Sequence, residues 1–380
     1  METPVRISIT KHFATLQDPR VLRTQRHPFV SIIILAVCGV ICGADTWVDI
    51  EDFSNTKLSG FQTWLDLPNG IPSHDTFGRV FAVVNPHQFQ ERFLSWVQEL
   101  IAFTKGQVVA LDGKTLRRSH NQSDGKAAIH MVSAWAAANR VVLGQLKVDE
   151  KSNEITAIPE LLGLLDIRGC TVTIDAMGCQ TAIANQIRAQ GADYVLALKE
   201  NQENLYREVI ATFAMGKKDM FASVSHSSYE TTEKGHGRIE NRRYVIITEK
   251  SILAYLNPDG AWKDLCGIGM VESERTIKEK MTTDVRYYLL SSTKGAMSFA
   301  NAVRSHWGIE NQLHWVLDIA FREDESRIRK GNGDQNFALL RHIALNLIRQ
   351  EPSKGSVHTK RLRAGWDDSY LLKVLSPKAI

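Results

Sequence analysis

Between residues 101 and 199 the sequence carries three short apolar runs: 107–111 (QVVAL), 170–174 (CTVTI) and 194–198 (YVLAL). Each is too short for a helix and apolar throughout, as a strand buried on both faces must be. Residues 129–137 and 140–148 read as two further strands, with a turn at Ala138, Asn139 and Arg140. Residues 154–165 carry Ile155, Ile158, Leu161, Leu162 and Leu165 on one helical face, and 180–190 reads as a helix stopped by Gly191. Three strands, helix, strand, helix, strand is the order of an α/β sheet of mixed direction. Two of the apolar runs deliver an acid: VVALDGK ends on Asp112 and TVTIDAMG on Asp175.

The flanks have a different texture. Residues 1–100 predict short helices. Ser73 is an N-cap, and Pro86 opens the helix that carries Phe89, Phe93, Trp96, Val97 and Leu100. Interspersed basic residues suit a DNA-binding head; a helical unit that only packs on its neighbour fits the pattern equally well. The run 29–44 (FVSIIILAVCGVICGA) is shorter than the roughly 20 apolar residues of a membrane span, and its basic flank starts too far from Met1 for a leader. It predicts a buried helix, and no membrane partner. Residues 200–295 interrupt the alternation with a charged helix and short strand-like pieces at 243–248, 265–271 and 286–290. Residues 351–380 read as a basic, irregular, partly mobile tail.

Residues 304–330, RSHWGIENQLHWVLDIAFREDESRIRK, predict one long helix. Val303, Trp307, Leu313 and Leu317 recur at helical spacing, with Glu310 between His306 and His314, one turn to either side. Asp318, Glu323 and Asp324 on the same run read as charge partners of Arg322, Arg327 and Arg329, with one of them as a rival to Glu310, and Trp307 and Trp315 read as core.

A lone Asp after a strand is by default a turn or cap residue, and a lone Glu on a helix a solvated charge. Three carboxylates from three elements, converging at one sheet edge, are a different matter. They suit Mg²⁺, with Mn²⁺ as a substitute, since both prefer carboxylates, water and substrate phosphates. Two such ions about 4 Å apart serve an in-line phosphoryl displacement. The 380-residue chain has a net charge of +4, which permits a nucleic-acid partner without demanding one. Five cysteines without a CxxC pair argue against a disulfide scaffold or zinc ribbon and for a reducing cytoplasm.

Taken together, LDGKTLRRS, VTIDAMGCQ, YVLALKENQ, GHGRIENRR and HWGIENQLHWVLDIAFREDESR resemble the DDE transposases of bacterial insertion sequences. The nearest group is the ISAs-type, with the H-repeat-associated proteins found near Rhs elements. The resemblance covers nearly the whole chain. It implies a ribonuclease-H-like core at 101–199 and 296–350, interrupted by a β-rich insertion at 200–295 and preceded by an N-terminal helical domain at 1–100 for DNA-end recognition. It implies Asp112, Asp175 and Glu310 as the metal-binding catalytic triad. It also implies double-stranded DNA, as terminal inverted repeats and target, for substrate, and a homodimer holding two ends at the nucleoid. In related transposases the helix of the third acid carries a Tyr, Arg and Lys pattern; here Val303, His306 and Leu317 stand in those places. His306 would then meet phosphate only weakly, with a pH dependence, and Arg304 offers a fixed charge from elsewhere on the helix.

Further phosphate contacts are expected from Lys114, Arg117 and Arg118 after the first acid, against a solvated loop as the plain reading. The segment KGHGRIENRR, with His236 and Arg238, reads as a phosphate-binding loop, against a hairpin turn. The rival to an active DNA transposase is an inactive relic that binds DNA without cutting it; a membrane-anchored protein using 29–44 is a third reading.

Overall fold

The computed structural model describes residues 9–100, 107–120, 128–148, 154–235, 237–278 and 280–376. Nine strands among them form one sheet. They are β1 Val108–Thr115, β2 His130–Ala136, β3 Val141–Val148, β4 Thr171–Ile174, β5 Asp193–Leu198, β6 His226–Gly235, β7 Arg238–Ile247, β8 Gly267–Ile277 and β9 Lys280–Leu290. Their order is β3-β2-β1-β4-β5-β9-β8-β7-β6. β1, β4 and β5 are parallel neighbours, and the remaining pairs are antiparallel. The parallel pairs need crossovers, which the helices Glu154–Leu164 and Thr181–Ala189 supply. Gly191, at φ +74°, turns the chain from the second helix into β5.

Residues 200–295 do not break into short pieces. β6 to β9 are ten or eleven residues long and continue the same sheet, because β9 pairs with β5 through Val195↔Leu290. The sequence reading reached only their apolar inner ends. The outer ends are charged and, apart from Glu240 and Arg242 of β7, mostly exposed, held chiefly by ladder hydrogen bonds, and β6 (HSSYETTEKG) shows no apolar run at all. KGHGRIENRR is not a separate loop. Lys234 and Gly235 end β6, Arg238 to Arg243 begin β7, and Gly235 pairs with Arg238. His236 lies outside the described residues.

The apolar run forms the helix Phe29–Ile41, buried on every side. No helix of the described residues is long and apolar enough to cross a membrane. Gly39 lets the helix Trp47–Thr56 come close: a Cβ there would stand 2.9 Å from Ile50. Ser73 caps the helix His74–Val83 by accepting from the Thr76 amide, as expected. The helix Gly333–Gln350 is also buried nearly all round and ties the parts together. Asn336 donates to the Phe81 and Val84 carbonyls at 2.8 and 3.0 Å, and Asn346 exchanges two 2.9 Å bonds with the Val142 backbone of β3.

The expected irregular tail is folded. Val357–Trp366 and Asp368–Leu375 are helices, with Ala364, Leu371, Val374 and Leu375 buried. Two of the basic side chains that suggested solvation are spent inside: Lys360 donates to the Ile348 carbonyl at 3.2 Å, and Arg361 to the Val40 carbonyl at 2.9 Å.

Candidate active site

The sheet itself brings the two aspartates together. β1 and β4 pair in parallel from Val108↔Thr171 to Leu111↔Ile174 and then stop. Asp112 and Asp175 are the next residue on each strand. β1 continues past that point on its β2 side, so Asp112 lies within the strand, opposite Ser133, rather than at its end. Asp175 leaves the ladder and its Oδ1 accepts from the Met177 and Gly178 amides at 3.1 and 3.3 Å.

Glu310 comes from the long helix, which differs from its expected form in two ways. The helix starts at Ala296 and ends at Phe321, where Arg322 takes a left-handed φ of +48°. Residues Ile309–His314 form a π-helical turn, which widens the spiral where the acid sits. Ile309 and Leu313 are buried beneath it, and Glu310 is exposed. Asp112, Asp175 and Glu310 all line one cavity of about 500 Å³, with Lys199, Tyr206, Arg286, Tyr287, His306 and Trp307.

Burial, and after it the negative charges of Asp175, Glu154 and Glu310, push Asp112 up to about 7. Burial and Glu154 likewise raise Asp175, against the two amide hydrogen bonds. A carboxylate so crowded by its own kind is one that a cation would relieve, and an all-oxygen donor set suits a hard divalent ion. Among the described residues, no group of three or more His, Cys, Asp or Glu side chains is drawn in closely enough to cage a metal as it stands.

The imidazoles are structural neighbours of the acids. His306 Nδ1 lies 3.1 Å from Thr173 Oγ1 on β4, and burial pushes its pKa down to about 4. That shift favours the neutral imidazole, which the Thr173 contact holds against β4. His314 Nδ1 lies 3.5 Å from Asp112 Oδ2, and burial brings His314 down to about 3.

The expected phosphate contacts divide into two groups. Lys114 is turned inward. It pairs with Asp318 and, at 3.0 Å, with Glu323, and its side chain is only 12% exposed. These two acids therefore serve Lys114, not the arginines of their own segment; Arg322 pairs with Glu325, and Asp324 with Arg117 at 3.3 Å. Arg117 and Arg118 are exposed. Arg238 and Arg304 line a second cavity of about 500 Å³ with Arg242, Arg275 and Arg286. It adjoins the first through Asp284, Arg286, Tyr288, Val303 and Trp307. Buried Glu240 gathers Arg242, Arg275 and Arg238 at 2.6, 3.5 and 3.9 Å.

Sequence reasoning missed Lys199 and Arg286, the fixed cations of the triad cavity. Lys199 follows the apolar run of β5 as Asp175 follows that of β4, and that parallel was the available signal. Arg286 stacks over Trp307 with its guanidinium carbon 4.7 Å from the ring centroid. Trp315, expected in the core, is 60% exposed.

Residues 103–347 match the model described as "Transposase DDE domain", and residues 10–97 the model "DDE_Tnp_1-associated". The chain belongs to the DDE-domain transposase family. It is 39% identical over 373 residues to the "H repeat-associated putative transposase YhhI" of Escherichia coli (strain K12), covering 97% of each chain. It is 40% identical over 375 residues to the "Putative transposase YncI" of Escherichia coli O157:H7, covering 97% of this chain and 94% of that one. Among solved structures, a piggyBac transposase synaptic complex with hairpin DNA aligns with a TM-score of 0.43 at 10% identity, over 99% of this chain and 79% of that one. In this transposase the family match spans both strands that carry aspartates and the helix that carries Glu310.

Proposed function

We propose that this transposase cuts DNA at the ends of its element and joins those ends to target DNA, using Asp112, Asp175 and Glu310 as the metal-holding triad. The observation that carries the reading is the convergence of these three carboxylates, from two strands and one helix, on a single cavity. When bound, Mg²⁺, or Mn²⁺ in its place, supplies Lewis-acid stabilisation of the attacking and leaving oxygens of an in-line phosphoryl displacement. The protein's part is positioning and charge. Two acids fixed by one strand register and a third on a wedged helical turn hold the ion site, while Lys199 and Arg286 offer fixed positive charge to the scissile phosphate. Neutral His306, held to Thr173, orients the helix rather than binding phosphate.

The order β3-β2-β1-β4-β5 supports reading the first five strands, with the helices after residue 296, as a ribonuclease-H-like core. Residues 200–295 are then the insertion, whose arginine-lined cavity, together with Arg117 and Arg118, binds the DNA backbone. Water attacks the phosphodiester at the element end and the P–O3′ bond breaks, which frees a 3′-hydroxyl; that hydroxyl then attacks a target phosphodiester in line and displaces the target strand's 3′-oxygen. Two copies hold the two ends, and the reaction takes place at the host DNA in the cytoplasm.

Incubation of the chain with labelled DNA carrying the element's terminal repeats tests the reading. Nicks at the repeat boundary that appear with Mg²⁺ and vanish with EDTA are expected. Binding that never proceeds to a nick, with either metal and several end sequences, would establish the inactive relic instead.

A further inference from the structure

Residues alternate along β7. Ile239, Asn241 and Arg243 are exposed, while Glu240, Arg242 and Tyr244 are buried on the face that meets the helix Ala296–Gly308, where Tyr244 packs edge-on to Phe299. Ladder pairing extends that face in rows. Glu233, Glu240, Arg275 and Thr282 stand side by side across β6 to β9, and Thr231, Arg242, Ser273 and Asp284 form the next row. Glu240 Oε1 lies 2.6 Å from Arg242 Nη2 and 3.5 Å from Arg275 Nη2, and Glu240 Oε2 lies 3.9 Å from Arg238 Nε. Arg242 also reaches Glu233 at 3.0 Å, and Glu233 in turn takes Arg304 from the helix at 3.1 Å. The Glu240 side chain is only 6% exposed, and three guanidiniums converge on it.

Guanidiniums drawn together repel one another, and a buried one lacks water to screen it. Glu240 offsets that repulsion, but one carboxylate does not satisfy the group: it offers about four lone-pair positions, against five N–H donors on each arginine. The cavity on this face is lined by five arginines and two acids, Glu240 and Asp284, so positive charge is left over towards it. Arg286 and Trp307 line both this cavity and that of the triad. Guanidinium forks held in place beforehand match the paired oxygens of a phosphate.

We propose that Arg238, Arg242 and Arg275 form a subsite for one DNA phosphate a few nucleotides from the scissile one, and that Glu240 is its positioning residue. This rests on the reading of the arginine-lined cavity as a contact to the DNA backbone. Glu240 is negative, yet affinity for a polyanion depends on it.

Binding of the full chain to labelled duplex DNA carrying the terminal repeats, in EDTA and over a range of salt, tests this. Arg275→Gln should weaken binding and lower the slope of log affinity against log salt by about one. Glu240→Gln keeps the size and removes a negative charge. Charge alone would tighten binding and steepen the slope. The positioning role predicts binding weaker by about tenfold and a shallower slope. In the double variant the two losses should not add. Neutral methylphosphonate linkages, placed one at a time, should cost the wild type affinity at one phosphate near the cut and cost Glu240→Gln and Arg275→Gln nothing there. Glu240→Asp, which keeps the charge and shortens the reach, serves if Glu240→Gln does not fold, and weaker binding is again expected. Unchanged or tighter binding by a folded Glu240 variant, beside weaker binding by Arg275→Gln, overturns the role of Glu240 and leaves the cavity in contact with DNA. Full affinity in Arg238→Gln, Arg275→Gln and Arg304→Gln alike overturns both.

Discussion

Asp112 and Asp175 are placed by backbone register, and the side chains around them by satisfied polarity. Asp112 and Asp175 could be read from the sequence because an apolar strand ending on an acid is visible in one dimension. Lys199 and Arg286 could not, since only the fold brings β5 and β9 to the same cavity as the ends of β1 and β4. Exposed Trp315 was misread for the same reason: helical spacing gives a stripe, and the π turn at Ile309–His314 rotates the helix beyond it. Trp315→Ala should therefore change stability in urea by no more than about 0.5 kcal/mol, as surface substitutions do. Asn346→Leu should be severe. It strands the Val142 amide and carbonyl that Asn346 serves in a fully buried place, and a loss of about 2–4 kcal/mol is expected in the same assay. Gly331 combines φ +55° with a site where a Cβ would stand 2.3 Å from the Ala82 carbonyl oxygen. Gly331→Ala should cost at least about 1–3 kcal/mol, and the lowered urea midpoint would show it.

At the scale of elements, the sequence was most legible where burial sets the pattern. The strands β1 to β5, the two crossover helices and the buried helix Phe29–Ile41 all lie within a few residues of their expected bounds. It was least legible where hydrogen bonding or charge pairing replaces burial. β6 and the outer halves of β7 to β9 are held by their ladders, and the two C-terminal helices are held by basic side chains that look solvated when read one at a time. Glu351 fixes those helices. Burial would raise its pKa, but hydrogen bonds from Ser353, Tyr370 and Lys360 outweigh it and bring the group down to about 2 from an ordinary 4.5. A lowered carboxylate stabilises the fold above its unfolded pKa, and that contribution is lost as pH falls through the folded value. Between pH about 4.5 and 2 the melting temperature of the wild type should thus fall further than that of Glu351→Gln, which has no charge there to lose. Equal slopes in the two proteins would show that Glu351 carries none of the acid sensitivity.

As a whole molecule, the chain has a principal hydrophobic core that runs from Phe13 and Ile33 through β1 and β4 to Leu340 and Val374. The N-terminal helices are thus joined to the sheet by the helix Gly333–Gln350 and not only by sequence. A chain beginning at residue 107 would bare the face that Phe29–Ile41 covers, and it should be recovered as aggregate on size exclusion, where the full chain is not. The same continuity packs the N-terminal helices on one core with the strands that carry the cavity lined by Asp112, Asp175 and Glu310.

The central claim is that those three carboxylates do the cutting. The direct measurement compares Mg²⁺-dependent nicking of DNA bearing the terminal repeats by the wild type, Asp112→Asn, Asp175→Asn and Glu310→Gln, with binding to the same DNA measured in parallel. Each swap keeps the side chain's size and removes the charge that holds the ion. The account predicts a wild type that nicks, and three variants that bind DNA as well as the wild type does but leave it whole. Nicking at the wild-type rate by any one of the three, Glu310→Gln above all, would contradict it.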